Sequence, residues 1–517
     1  MIFNSFSFLV FYPIVTVVYF IIPYRVRYLW LLAASYYFYM SWNPKYALLI
    51  AASTIITYFS GLLIGRENNL YDKFSTQDTS PAENISQRKK KQLKRCQNRK
   101  KLWLALSFIS NLAILFFFKY FDFAINNLNA VLGKLGMELV QPTFDVLLPV
   151  GISFYTFQAL SYSMDIYRGE IYVEKNLAKY ALFVSYFPQM VAGPIERSKN
   201  LLIQLSTRHY FDYERMKLGL SIILWGLFLK IVVADRVAIL VDQVYGDYTS
   251  YIGLQLVIAT LFFGIQIYCD FASYSLIALG TAKVMGFNLT QNFKEPYFAR
   301  SITEFWHRWH ISLSTWFRDY LYIPLGGNRK GNARKYLNIM IVFLVSGLWH
   351  GASWNFVIWG FLHGAFQVIG QATKPIKANI TDKLGIDRKK ISYQLGQIFI
   401  TYCLVNFAWI FFRAPDLATS LGIIQGIFAQ WNPWIFIDGT LFELGLNQQN
   451  FVVAILSIFV LLCVSIISRI GYNPFNELNH QGIIFRWLIY FALIIAIIVF
   501  GIYGPGYSET QFIYFQF

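Results

Sequence analysis

The sequence predicts an all-α polytopic membrane protein, with about eleven transmembrane helices and additional re-entrant and surface helices. Three observations carry that prediction. Of 517 residues, 56% are hydrophobic and only 14% charged, where soluble domains carry about 25% charge. The apolar residues gather in runs, several long enough to cross a hydrocarbon core of about 30 Å. Lys and Arg collect at the ends of those runs, as they do in cytoplasmic loops.

The candidate spans, in chain order, are Phe6–Pro23, Leu29–Met40, Ala47–Gly65, Leu102–Phe121, Leu147–Met164, Leu218–Val233, Gly253–Ala278, Ile339–Leu348, Phe356–Ile369, Leu395–Phe412, Phe451–Ile467 and Phe485–Tyr503. The first lacks a basic n-region and a small-residue cleavage site, so it does not read as a signal peptide. Arg25 and Arg27 follow it, which favours the cytoplasm for that end and places Met1 outside. Leu29–Met40 and Ile339–Leu348 are shorter than the roughly 20 residues a crossing helix needs, so some runs are expected to be buried, re-entrant or surface-lying.

Between the third and fourth runs lies Arg66–Lys101, which includes "SQRKKKQLKRCQNRKK" and reads as a basic, mobile cytoplasmic loop. Thr373–Ser392 is a second basic connection. The formal net charge of +17 is concentrated in such segments. With no folded basic face interleaved with aromatics, nucleic acid is not the expected partner. "YFPQMVAGPIERSKN", Tyr186–Asn200, contains Pro188, Gly193 and Pro194 and is expected to be broken or re-entrant. Cys96 sits in the basic segment, and Cys269, Cys403 and Cys463 in apolar runs. Their spacing suits neither a disulfide framework nor a metal, and the last three are expected to be buried and unpaired. One integral membrane domain over residues 1–517 is the expected organisation, with no fixed-period repeat.

Chemistry is concentrated in two stretches. "SITEFWHRWHISLSTWFRDYLYIPLGGNRKG", Ser301–Gly331, opens with Ser301 and Glu304 in capping-box spacing, so a helix is expected to begin there. His307 and His310 would then lie one turn apart on one face. Arg308, Arg318 and Asp319 are too many charges for a lipid-facing span, and Trp306, Trp309, Trp316, Phe317 and Tyr320 suit a membrane surface or an internal cavity. The second stretch, "IVFLVSGLWHGASWNFVIWGFLHG", puts His350 and His363 in an apolar run. Three readings compete for these histidines: hydrogen-bonded structural groups, metal ligands, or a general base. Glu304, His307 and His310 form ExxHxxH, but no matching Glu-x-x-His supplies the second half of a bundle metal site, so no metal is expected. A buried neutral imidazole can take a proton from a hydroxyl as a new bond forms, and ionisable groups at bilayer depth are functional candidates. His350 is the best placed, between Gly347 and Gly351, which let backbones approach. Asp270 is a further buried-looking charge, expected to pair with a basic side chain or order a hydrogen-bond network.

These blocks resemble the membrane-bound O-acyltransferase family. The likeness rests on "VAGPIER" (Val191–Arg197), "QIYCDF" (Gln266–Phe271), Ser301–Arg329, "GLWHGASWNFVIWG" (Gly347–Gly360) and the terminal "FIYFQF". It is strongest toward the bacterial branch that O-acetylates alginate and peptidoglycan, which is also similar to the teichoic-acid D-alanylation acyltransferase. The resemblance implies a helical fold around a central tunnel, with His350 catalytic and His310 a second functional position. It implies an acyl group, most simply acetyl, passed from a cytoplasmic thioester (acetyl-CoA or an acyl carrier) toward hydroxyls of an extracytoplasmic polysaccharide. An extracytoplasmic esterase-like partner and the bacterial cytoplasmic (inner) membrane are further implications. Asp270, Trp309, Trp349, Trp354, Arg318 and Asp319 are the expected substrate-channel residues. Two positions depart from the family pattern: His307 stands where Arg is common, and Leu276 where an acid is usual. The rival readings are a transporter or flippase for polymer precursors, which would also use broken helices and buried charges, and a non-catalytic scaffold. No pair of matching interrupted segments in two halves supports the transporter.

Overall fold

A computed structural model describes residues 1–76, 83–140, 149–190, 193–503 and 512–513, with backbone alone at 76, 83–86 and 88. All regular structure among them is helical. The first residues of the expected span Leu147–Met164, Val191 and Ala192 of the "VAGPIER" block, and the last four residues of "FIYFQF" lie outside the described residues.

Seven helices among the described residues are long and apolar enough to cross a bilayer unaided, fewer than the roughly eleven expected from apolar runs. Phe6–Ile21, Arg27–Met40 and Ile152–Arg168 are shorter than a full crossing. Gly331–His350 and Trp354–Ala372 are long enough, yet they carry buried Asn338, His350, Asn355 and His363. The last two therefore carry a polar face buried against protein beside exposed apolar residues such as Leu337, Phe361 and Ile369.

The chain divides into two compact units. Unit one is Met1–Met216 with Ala282–Leu289. At its centre Ile152–Arg168 is buried around almost its whole circumference, as a helix surrounded by other helices must be. Polar pairs fix its neighbours: Ser107 meets Ser163 at 3.0 Å, Ser198 donates to Asp165 at 2.7 Å, and Tyr180 donates to Thr57 at 2.6 Å. Tyr186–Asn200 is broken as expected. A four-residue helix, Phe187–Met190, ends before an extended stretch leading to Ser198–Leu205.

The basic segment corrects the reading of a loop. Tyr46–Thr76 and Glu83–Lys119 are continuous helices of 31 and 37 residues, so residues 66–76 and 83–101 are helical. Lys, Arg, Gln and Glu are good helix formers, and neither 66–76 nor 83–101 contains a proline or glycine. Glu67 pairs with Arg99 at 3.5 Å and Lys100 covers the Tyr71 ring, tying the two helices together. Cys96 is consequently buried on a helix, whereas Cys403 is exposed and Cys463 half-buried on apolar outer faces. The expectation of buried thiols holds for Cys269 alone among the three. Apolar composition fixes a helix's solvent, not which side of it faces protein.

Unit two is Lys217–Thr281 with Thr290–Phe517. From Lys217 onward it holds the helical rod that ends at Gly246, which contains a π-helical turn, Phe228–Ala234. Leu254–Met285 carries Asp270, and Gly331–His350 and Trp354–Ala372 pair as a hairpin. That hairpin can close only through glycine. A Cβ on Gly347 would stand 2.2 Å from the Phe356 carbonyl oxygen, and one on Gly360 would stand 2.3 Å from that of Phe343.

Candidate active site

His350 is the last residue of the Gly331–His350 helix and is buried. Aromatic rings pack against it: Trp349 and Trp359 with centroids at 4.9 Å each, and Phe412 at 5.5 Å. Its helix ends because Gly351 turns to extended backbone, so the ring is presented at a helix terminus, against the aromatic face of the following helix.

His310 reaches the same cluster by another route. The helix opened by Ser301, whose hydroxyl accepts from the Glu304 amide at 3.1 Å, ends at Arg308. Trp309 is extended and His310 adopts φ 43°, ψ 55°. His307 and His310 therefore do not share a helical face: His307 is exposed and His310 fully buried. This corrects the one-turn reading and disperses the ExxHxxH set. The cause is a clamp from residues distant in sequence. Asn292 accepts from the Ile311 amide through its carbonyl at 3.0 Å and from the Ser312 amide through its side chain at 3.3 Å, while donating to Ser275 at 3.0 Å. Lys294 donates to the Arg308 carbonyl at 2.9 Å. Those bonds hold a left-handed conformation that costs a non-glycine residue about 1–2 kcal/mol. Burial keeps the His310 imidazole in its neutral form.

His310 lies 6.1 Å from Trp349 between ring centroids and 4.6 Å, edge to face, from Phe271. The two histidines are thus neighbours across one indole, that of Trp349. His363 joins the cluster through Trp359, at 4.9 Å. The Trp306 indole donates to His363 Nδ1 at 3.3 Å, which puts the proton of the neutral ring on Nε2. That is a fixed tautomer in an aromatic nest.

Asp270 finds its partner in Lys230, a residue the sequence reading did not single out. Lys230 Nζ lies 2.7 Å from Asp270 and 2.8 Å from Asp235, all three buried. The second oxygen of Asp270 accepts from the Ile513 amide at 2.8 Å. Phe512 stacks on Tyr274 at 4.3 Å and meets Phe271 at 5.7 Å. A buried ion triad therefore anchors the chain near its end, one residue from the ring that packs on His310. The available signal was three charges, Lys230, Asp235 and Arg236, inside an apolar stretch.

The remaining expected channel residues separate. Trp309 and Trp349 are buried, and Trp309 stacks on Phe305 at 5.4 Å. Trp354 is 55% exposed and so stands apart from the buried cluster. Arg318 and Asp319 pair with each other at 2.8 Å near the surface. Arg318 also lines a cavity of about 500 Å³, in which His307 and Lys335 add positive or polar groups and Ile339, Val342 and Phe343 an apolar wall. Ser346, one helical turn before His350, and Trp306 belong to the same lining. Trp359, Phe412, Asn292 and Trp409, which stacks on Trp359 at 5.8 Å, join Lys230 as site residues missed by the sequence reading. Among the described residues no group of three His, Cys, Asp or Glu side chains could hold a metal ion.

Residues 171–404, which carry Asp270, His310 and His350, match the model of the membrane-bound O-acyltransferase family. A probable alginate O-acetylase of Pseudomonas putida is 34% identical over 100% of both chains. The chain belongs to the membrane-bound O-acyltransferase family. It is a multi-pass membrane O-acyltransferase. A peptidoglycan O-acetyltransferase of Helicobacter pylori is 35% identical over 77% of this chain and 73% of its own. A teichoic acid D-alanyltransferase of Streptococcus thermophilus is 29% identical over 51% of this chain and 68% of its own. For an O-acyltransferase, a buried imidazole inside an aromatic wall is suited to the chemistry: it can take a hydroxyl proton while water, the competing acceptor, is kept away.

Proposed function

We propose that this O-acyltransferase transfers acetyl groups from a cytoplasmic thioester donor toward hydroxyls of an extracytoplasmic polysaccharide, in the bacterial cytoplasmic membrane. The observation that carries the reading is His350, buried at a helix end, with Trp349 the ring against which both His350 and His310 pack. In the reaction the acceptor oxygen attacks the thioester carbonyl carbon and the carbon–sulfur bond breaks. The hydroxyl proton passes to His350 and then to the departing thiolate, leaving an ester and a free thiol. His310 orients the acyl group or steadies the charge that develops on its oxygen. The cavity lined by Arg318, Lys335 and an apolar wall suits an anionic donor such as acetyl-CoA or an acyl-carrier thioester. An extracytoplasmic esterase-like protein is the partner proposed to complete transfer to the polymer.

The alginate and peptidoglycan acetylation named for the relatives supports acetyl as the group and a cell-envelope polymer as the acceptor. The test is ester-linked acetate released by mild base from the envelope polymers of cells carrying wild type, His350→Ala or His310→Ala in place of the native gene. With membrane abundance equal, His350→Ala should lower acetate by about 10²-fold or more, the range for a lost general base. Acetate unchanged in His350→Ala would remove His350 as the base.

A further inference from the structure

We propose that unit one carries a binding site for an anionic phospholipid, with its phosphate in a basic cavity and an acyl chain in an adjoining apolar groove. The cavity, of about 290 Å³, is lined by Arg25, Arg27, Lys179, Tyr24, Tyr28 and Asn176 among others, and no carboxylate belongs to its lining. Its three cations have unlike duties. Arg27 is committed to the fold: it donates to the carbonyls of Ile22, His209 and Phe20 and lies over the Tyr19 ring at 5.0 Å. Arg25 and Lys179 are in no ion pair among the described residues. Lys179 reaches only Ser206 Oγ at 3.5 Å and the Tyr28 ring at 5.8 Å. The carboxylate nearest to Lys179 in the sequence, that of Glu174, is taken up by the Asn176 amide at 2.8 Å, and two cations facing a cavity with no carboxylate in its lining favour an anion there.

The neighbouring groove says which anion. It runs along the same two helices, Arg27–Met40 and Leu177–Ser185, and is lined by Leu29, Leu32, Ala33 and Tyr36 on one side and Leu177, Ala178 and Ala181 on the other. Tyr28, in the cavity, and Leu29, in the groove, are adjacent in sequence, as are Lys179 and Ala178. From Leu29 to Tyr36 is about 10 Å of helix, against about 15 Å for one leaflet of hydrocarbon. The groove therefore takes the upper part of one acyl chain. One side of the cavity fixes the depth. Thr207 of its lining belongs to the 206–212 segment, held by Tyr24 donating to the Ser206 carbonyl at 2.7 Å. Tyr210 and Phe211 in that segment and Tyr213 just after it are exposed, as aromatic residues at headgroup level are. A soluble phosphate would use the cavity but have no use for an apolar groove opening beside it at the membrane boundary.

The experiment uses the purified full chain, delipidated in detergent and reconstituted with phosphatidylglycerol, phosphatidylcholine or inorganic phosphate, with bound lipid counted by native mass spectrometry. Wild type should retain phosphatidylglycerol over phosphatidylcholine by at least about 25-fold, since each cation near an anionic headgroup contributes about fivefold. Arg25→Ala and Lys179→Ala should each lose about fivefold, and Arg25→Lys should keep the preference. Ala33→Phe, which fills the groove, should release the lipid while leaving the charge in place. Equal retention of the two lipids, or Arg25→Ala and Lys179→Ala both without effect, would overturn the site. Phosphatidylglycerol displaced by millimolar inorganic phosphate, with Ala33→Phe unaffected, would assign the cavity to a soluble anion and overturn the lipid.

Discussion

His310 illustrates how much of this site is decided by single residues with distant partners. Its left-handed backbone rests on Asn292, whose side chain and carbonyl take the next two amides. Asn292→Ala should destabilise the protein by about 1–3 kcal/mol, the effect of leaving buried polar groups without a partner. It should also lower kcat for acyl transfer more than it raises KM, because the ring it positions would be displaced; thermal melting in detergent and acetate transfer measure the two effects. Asp270→Ala breaks one of the two buried ion pairs of Lys230 and takes the acceptor from the Ile513 amide, a loss of about 3–5 kcal/mol, read as lost membrane abundance. His209 shifts the pH dependence. Burial holds its imidazole below the usual value, against an opposing hydrogen bond to the Gln204 carbonyl. A histidine depressed in the folded state binds more protons when unfolded, so its contribution is present above about pH 6.5 and lost as pH falls below that. His209→Gln should flatten the decline of the melting temperature between pH 7 and pH 5.

At the scale of elements, the Gly331–His350 and Trp354–Ala372 hairpin depends on a crossing that admits no Cβ at Gly347 or Gly360. Because the obstructing atoms are backbone carbonyl oxygens, Gly347→Ala must push the helices apart, at about 1–3 kcal/mol. It should also reduce transfer by moving His350 away from Trp359, and circular dichroism melts paired with acetate assays separate the two losses. The same element shows what was legible. Apolar runs, the Ser301 start and the Tyr186–Asn200 break were readable because they depend on neighbours in sequence. The end of the helix at Arg308 was not: Asn292 and Lys294, which draw that backbone away, come before Ser301 and leave no local mark. Lys230 was readable in principle as a charge within an apolar run, but its partnership with Asp270, 40 residues on, is a fact of packing. Burial of Cys96 and exposure of Cys403 were likewise invisible, since a membrane removes the usual link between apolar and inside.

For the molecule as a whole, shortage of charge fixed a membrane protein and the histidine blocks pointed to acyl transfer, while the division of the chain into two compact units left no trace in composition. The basic segment has the clearest whole-molecule consequence. Because Glu83–Lys119 is one helix, Lys89, Lys90 and Lys91 stand about 17–20 Å along its axis from the apolar start at Leu102. The Debye length at physiological salt is about 8 Å. Such charges, within 15–20 residues of a span, still bias orientation during insertion, yet in the finished protein two screening lengths of electrolyte lie between them and the lipid surface. Their field is spent on the aqueous phase. Exchanging all three for Gln should leave the anionic lipid retained by the reconstituted protein unchanged, and native mass spectrometry of the two proteins side by side would reveal any departure.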